Sequence, residues 1–131
     1  MAQDFRVWEE ASLPEIMEAE LILTSEIEDN QAAVEKQMSL AESKYCRLTG
    51  LLSEVDAILD AEMWRLMPIK GMMPEGERHI ATMAKTAGIR LRRDRLKSLV
   101  ACIEQRISVC QSKLKVYIAE FRIIEREDKS K

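Results

Sequence analysis

Residues 27–66, IEDNQAAVEKQMSLAESKYCRLTGLLSEVDAILDAEMWRL, decide the predicted fold. Apolar side chains recur in this stretch at alternating steps of four and three residues. This is the heptad spacing of a helix that buries one face against another helix. Two series of positions form this first seam: Ile27, Val34, Ala41, Leu48, Val55 and Glu62, and Gln31, Met38, Tyr45, Leu52, Leu59 and Leu66. The pattern predicts one long helix, which we place at residues 12–67.

Sequence signals fix the two ends of this predicted helix. Ser12 and Glu15 form the S-x-x-E pattern of a capping box, and Pro14 suits a first helical turn. The helix is expected to stop at Met67, because Pro68 disfavours helical geometry in the residue before it. Residues 68–88 are predicted to form the connection, with a short helix over 75–87 that ends or kinks at Gly88.

Residues 89–126 are predicted to form a second long helix. Its apolar face is the second seam: Ile89, Arg93, Leu96, Val100, Ile103, Ile107, Cys110, Leu114, Tyr117, Phe121 and Ile124. Two seams joined by a compact connection predict an all-α fold, a single helical domain over residues 1–131 built as a long antiparallel helical hairpin or coiled coil. With Leu66 level with Ile89, Glu62 faces Arg93, and we expect a structural ion pair there that fixes the register.

Apolar residues beside the seams point to association of several chains. Leu51, Ile58 and Met63 widen the first seam, and Ile118 and Ile123 widen the second. A hairpin of two helices has a thin core and would leave such flanks uncovered. We therefore expect a homo-oligomer.

Composition excludes several classes of protein. The chain is 47% hydrophobic and 33% charged with four glycines and three prolines, which is typical of a globular helical protein rather than a disordered or all-β one. No apolar stretch is long enough to span a membrane, and MAQDFRVWEE lacks a signal-peptide pattern. A cytoplasmic location is expected, in the host if a phage encodes the chain.

Catalytic and metal-binding patterns are weak. Cys46, Cys102 and Cys110 contain no CxxC pair, which predicts reduced thiols and no metal site. His79 is the single histidine, and no phosphate-binding loop motif occurs. We expect no enzyme, no catalytic residue and no cofactor.

Charge is unevenly distributed, although the net charge is −3. Residues 1–65 carry 15 acidic and five basic side chains, whereas residues 66–131 carry eight acidic and 15 basic ones. The strongest functional signal is GIRLRRDRLK (88–97), whose basic run comprises Arg90, Arg92, Arg93, Arg95 and Lys97. The planar guanidinium group of arginine can bind two phosphate oxygens at once, and the nearby Trp64 could stack on a base. The alternative is that the facing helix end neutralises these arginines through Glu54, Asp56, Asp60 and Glu62.

Three segments carry a resemblance to a known family. They are AEMWRLMPIKG (61–71), PEGERHIATMAK (74–85) and RLKSLVACIEQRISVCQSKLKVYI (95–118). The predicted order along the chain is a long helix with an aromatic and basic end, a connection that contains proline and glycine, a short helix, and a long amphipathic helix. Over roughly residues 40–120 this layout resembles that of UvsY-like recombination mediators of tailed bacteriophages.

The resemblance implies a non-enzymatic accessory protein of DNA recombination and repair. Such mediators bind single-stranded DNA as oligomers and help to load a RecA-type recombinase onto strands covered by a single-strand-binding protein. The DNA-binding segment of the family corresponds here to Trp64, Arg65 and Lys70. Asp60 and Glu62 stand where the family has basic residues, so the expected contacts shift toward Arg78, Lys85 and the basic run.

The alternative function is a helical protein-interaction module that does not bind nucleic acid. A phage or bacterial inhibitor, chaperone or assembly adaptor would have this character. Its contact surface would be the acidic first helix and the methionines Met63, Met67, Met72 and Met73. The two functions differ in whether the chain binds single-stranded DNA and forms a closed oligomer.

Overall fold

The computed structural model describes residues 5–66 and 75–129. These residues form three α-helices and no strand: α1 (Phe5–Thr24), α2 (Gln31–Arg65) and α3 (Glu75–Lys129). The predicted all-α class is confirmed. None of the helices in this part of the chain is long and apolar enough to cross a membrane.

The predicted helix over residues 12–67 is wrong at its start, because α1 already begins at Phe5. Ser12 lies inside α1 and is buried, and its hydroxyl donates to the Glu9 carbonyl instead of capping a helix. The physical reason is the apolar residue one turn earlier: Trp8 is only 2% exposed and stacks on Phe5. Burial of this large ring outweighs a local capping preference.

The same predicted helix is also interrupted, because residues 25–30 separate α1 from α2. At the end of α1 the Ser25 amide donates to the Leu21 carbonyl at 3.1 Å, and the Ser25 hydroxyl donates to the same carbonyl. Asn30 has extended backbone geometry, and its side-chain oxygen accepts a 2.9 Å hydrogen bond from the Ala33 amide. This is the geometry of an N-cap, so Asn30 starts a new helix. The predicted end at Met67 lies outside the described residues; α2 ends at Arg65.

Replacement of Asn30 should destabilise the start of α2. We expect Asn30→Ala to lower the free energy of unfolding by about 1 kcal/mol, because the Ala33 amide loses its acceptor. Urea denaturation of the two proteins measures this difference. Asn30→Ser, which keeps an acceptor at the cap, should stay close to the wild type; equal loss in both variants would contradict the capping role.

The predicted break at Gly88 is also wrong, because α3 runs through it without interruption. Gly88 lacks a positive φ and lies against Phe5 of α1, which a Cβ atom would approach to 3.8 Å. Buried Thr86 and Ile89 lie on either side of it. The second seam therefore continues N-terminally past Gly88 through Thr86, a polar residue that the pattern of apolar residues does not reveal.

All three helices contribute to the hydrophobic core. Four positions of the first predicted series are confirmed, since Val34, Ala41, Leu48 and Val55 are fully buried. Ile27 and Glu62, at the two ends of that series, are only half-buried. Cys110 is buried as predicted, and burial raises the pKa of its thiol. The flanking residues Leu51 and Ile58, expected to contact another subunit, are buried in one core cluster with residues of α1, namely Trp8, Ile16 and Ala19.

Side-chain contacts between α2 and α3 are spread along both helices. Arg90 donates to the Met63 sulfur, the Tyr45 hydroxyl bonds to Glu104, and the Tyr117 hydroxyl donates to Asp29 just before α2. The bonds to these carboxylates raise the pKa of both tyrosines. Residue numbers fall along α2 as they rise along α3. Beyond Tyr117, every side chain that the structure describes, from Ile118 to Glu127, is exposed.

Candidate nucleic-acid interface

The end of α2 presents an aromatic side chain to solvent. Trp64 is 69% exposed, whereas Leu66, two residues later, is buried. The helix ends here with the Leu66 amide donating to the Glu62 carbonyl at 3.0 Å. An indole that is not needed in the core is free to stack on another flat group, such as a nucleic-acid base.

Arg65 follows Trp64 and is directed back along α2. Its guanidinium donates to both carboxylate oxygens of Glu62, with Nη2 at 2.8 Å from Oε2. The Arg65 side chain is nevertheless largely exposed. An exposed ion pair of this kind is weak, so Arg65 can exchange Glu62 for a phosphate at little cost.

The first residue of the basic run is tied to its own helix. Arg90 is half-buried, and its Nε donates to the Thr86 hydroxyl at 3.0 Å. Thr86 in turn donates to the Thr82 carbonyl. Because Nη2 of Arg90 reaches the Met63 sulfur, this arginine lies one residue from exposed Trp64. The structure therefore brings the basic run of α3 against the last turns of α2 at Met63 and Arg90.

Two arginines of the basic run form ion pairs with α1. Arg92 Nη2 lies 3.5 Å from Glu9 Oε1, and Arg95 bonds to the Glu20 carboxylate. The Arg92 side chain is only 14% exposed. The alternative prediction assigns the neutralising role to carboxylates at the facing end of α2. The structure instead places two acidic residues of α1 there.

The predicted ion pair between Glu62 and Arg93 is replaced by two local pairs. Glu62 binds Arg65 three residues later on the same helix, and Arg93 Nε lies 3.6 Å from the adjacent Asp94. Local partners need no particular register between helices, so they form at less entropic cost than a pair across the interface. The Arg93 Nε is buried and has no hydrogen-bond partner.

The predicted site contains lysines as well as arginines. Lys85 and Lys97 are exposed on α3. Lys70 lies outside the described residues. Arg78 belongs to α3, but its side chain is outside the described part. The exposed members of the predicted site are thus Trp64, Arg65, Lys85, Arg95 and Lys97, while Arg90 and Arg92 are half-buried.

Sequence reasoning missed the acidic face that α1 turns toward the other helices. Besides the two pairs with α3, Glu15 and Glu18 both bind Lys44 of α2. The bond to Lys44 holds the pKa of the Glu15 carboxyl below its usual value. Burial alone would lower the pKa of Lys44, but its bonds to the two carboxylates raise it. The sequence does contain a pattern that predicts α1 as a separate amphipathic helix, namely the spacing of Trp8, Ser12, Ile16 and Ala19.

No family model, curated protein or solved structure matches this chain. The resemblance to UvsY-like mediators therefore rests on the sequence segments that carry it.

Proposed function

We propose that this chain is a non-enzymatic helical accessory protein that binds single-stranded DNA through the end of α2 and the first part of α3. The exposed indole of Trp64 carries the proposal. It lies next to Arg65 in a segment, residues 64–97, with nine basic and three acidic side chains. Aromatic stacking combined with a positive surface is the usual way in which proteins hold single strands without sequence preference.

The proposed architecture is a hairpin in which α2 and α3 pack antiparallel. The order of the contacts from Met63 with Arg90 to Asp29 with Tyr117 supports it. In this arrangement the end of α2 and the basic run of α3 lie at one end of the molecule. Trp64 and Lys97 would then contact different parts of one strand.

Self-association is the second part of the proposal. The last part of α3 exposes five large apolar side chains: Val116, Ile118, Phe121, Ile123 and Ile124. Exposed apolar surface of this kind favours burial against another chain. A homo-oligomer would place several copies of the basic end side by side. Loading of a RecA-type recombinase onto DNA coated by single-strand-binding protein would be the role of such an assembly, as the resemblance implies.

A substitution of Trp64 tests the DNA-binding site directly. We expect Trp64→Ala to weaken binding of a labelled single-stranded oligonucleotide by roughly 10-fold, because stacking of one base is lost. Fluorescence anisotropy in low salt measures the affinity. Trp64→Phe, which retains an aromatic ring, should bind more tightly than Trp64→Ala. Equal affinities for all three proteins would reject Trp64 as a contact.

A matched pair of lysines tests the charged part of the site. Lys97 and Lys115 are both exposed residues of α3, but only Lys97 belongs to the proposed interface. Lys97→Ala should weaken oligonucleotide binding and reduce its salt dependence, because one phosphate contact is removed. Lys115→Ala should change neither quantity. A similar loss of oligonucleotide affinity in both variants would indicate general attraction of DNA by positive charge and would contradict a site at Lys97.

A protein-interaction module without DNA binding is the second candidate. The exposed apolar side chains near the end of α3 favour it as well, and Met63 of its predicted contact surface is exposed. Met67, Met72 and Met73 lie outside the described residues. Light scattering with and without the oligonucleotide discriminates the two functions. A mass that is unchanged by DNA, together with no anisotropy change, would support the interaction module.

A further inference from the structure

Two acidic residues of α1 contact the basic run that is proposed to bind DNA. α1 contains five glutamates and one arginine. Two of these glutamates, Glu9 and Glu20, pair with Arg92 and Arg95 of the basic run. The guanidinium groups that a strand would need are therefore already occupied by carboxylates of the same chain.

The position of α1 is fixed independently of these two ion pairs. Trp8 and Ile16 are buried in the core, and the Trp8 indole donates a 2.8 Å hydrogen bond to Glu54 of α2. At its other end, Arg106 of α3 donates to the backbone carbonyls of Leu23 and Ser25. The two glutamates are consequently held beside the arginines without having to contribute to the docking of the helix.

The carboxylates satisfy these arginines only in part. Arg92 Nη1 is buried and has no hydrogen-bond partner, although Nη2 of the same group is paired with Glu9. A guanidinium offers five donors, and phosphate oxygens accept two of them in parallel. The side chains of Glu9 and Glu20 are both 41% exposed, so each can rotate into solvent while α1 stays in place.

We infer that Glu9 and Glu20 are internal competitors of nucleic-acid phosphates for Arg92 and Arg95. This inference rests on the proposed function and names the regulation of its site. A phosphate approaching the basic run displaces each carboxylate, which then becomes hydrated at the edge of α1. Affinity for DNA is thereby held below the value that the arginines alone would give. Any partner that draws the α1 carboxylates away strengthens DNA binding.

Removal of the two competing charges tests the inference. Glu9→Gln/Glu20→Gln should bind a labelled single-stranded oligonucleotide roughly 3- to 10-fold more tightly than the wild type, because two weak ion pairs no longer have to be broken. Glu10→Gln/Glu26→Gln is the matched control. Glu10 and Glu26 are exposed, and their replacement changes the net charge by the same amount without touching Arg92 or Arg95.

The salt dependence gives a second readout. In the wild type, each displaced carboxylate takes up a cation as the phosphate releases one, so net counterion release at Arg92 and Arg95 is small. In Glu9→Gln/Glu20→Gln the uptake is lost, and the slope of log affinity against log salt should steepen by up to about two. A single Glu20→Gln variant, whose carboxylate is remote from Trp8, should shift both quantities in the same direction by a smaller amount.

The outcomes separate the inference from the proposed function. Tighter binding and a steeper slope in Glu9→Gln/Glu20→Gln than in Glu10→Gln/Glu26→Gln support the competition. If the wild type binds the oligonucleotide and both double variants gain affinity equally, the competition is overturned and the proposed site remains. Failure of every protein to bind the oligonucleotide overturns the proposed function and the inference with it.

Discussion

Leu96→Ala should lower the free energy of unfolding by about 3 kcal/mol, one of the two largest effects expected for this chain. Leu96 lies on α3 with 0% of its surface exposed, in one core cluster with residues of all three helices. Truncation to alanine removes the transfer free energy of the buried carbons and leaves a cavity that the surrounding helices fill only in part. Urea denaturation followed by circular dichroism measures the loss.

The control is the same substitution five residues earlier on the same helix. Leu91 is 74% exposed, so Leu91→Ala should change the free energy of unfolding by less than about 0.5 kcal/mol. Both measurements need one fixed protein concentration, because self-association would make the stability depend on it. Similar losses for the two variants would show that α3 does not pack through the face that contains Leu96.

Trp8→Ala is expected to have an effect of similar size, about 3 kcal/mol, through a different part of the core. Trp8 anchors α1, since its ring is buried and its indole bonds to Glu54. Its loss should release α1 from the other two helices and expose the segment 25–30 to proteolysis. Trp8→Phe, which keeps a buried ring but loses the hydrogen-bond donor, should cost about 1 kcal/mol.

The second tryptophan supplies the contrast. Trp64→Ala should leave the free energy of unfolding within about 0.5 kcal/mol of the wild type, because Trp64 is largely exposed. The same variant is expected to weaken DNA binding. One tryptophan thus serves the fold and the other the proposed function. A large loss of stability in Trp64→Ala, or none in Trp8→Ala, would contradict these assignments.

The sequence pattern predicted the helical class and much of the core of α2. Heptad spacing is a strong local signal, and Val34, Ala41, Leu48 and Val55 are buried where it places them. The pattern failed at Gly88, because the seam there passes through the buried polar residue Thr86. A polar residue at a core position looks like the end of a helix, although neighbouring apolar positions suffice to keep the helix packed.

The separate α1 was missed for another reason. Ser12 and Glu15 match a capping box, which is a local signal, whereas burial of Trp8 depends on contacts with Glu54 of α2. Asparagine is a favoured N-cap residue, but Asn30 lies inside the helix predicted over residues 12–67. Local motifs compete with tertiary burial, and the competition cannot be decided from spacing alone.

The sequence predicted candidate site residues by their type but not the partners that those residues have in the structure. Trp64 and the basic run stand out in the sequence, and the structure brings Met63 and Arg90 into contact. The pairing of Arg95 with Glu20 joins residues that are far apart in the chain. No local sequence pattern predicts such a pair, because it forms only when α1 packs against α3.

The most direct test of the proposed function is a titration of a labelled single-stranded oligonucleotide with the full chain at about 50 mM and about 200 mM salt. If about four phosphates are neutralised, affinity should fall roughly 50-fold between the two conditions. Binding that is undetectable at the lower salt, or that does not weaken at the higher, would contradict a phosphate-binding surface at the end of α2 and the first part of α3.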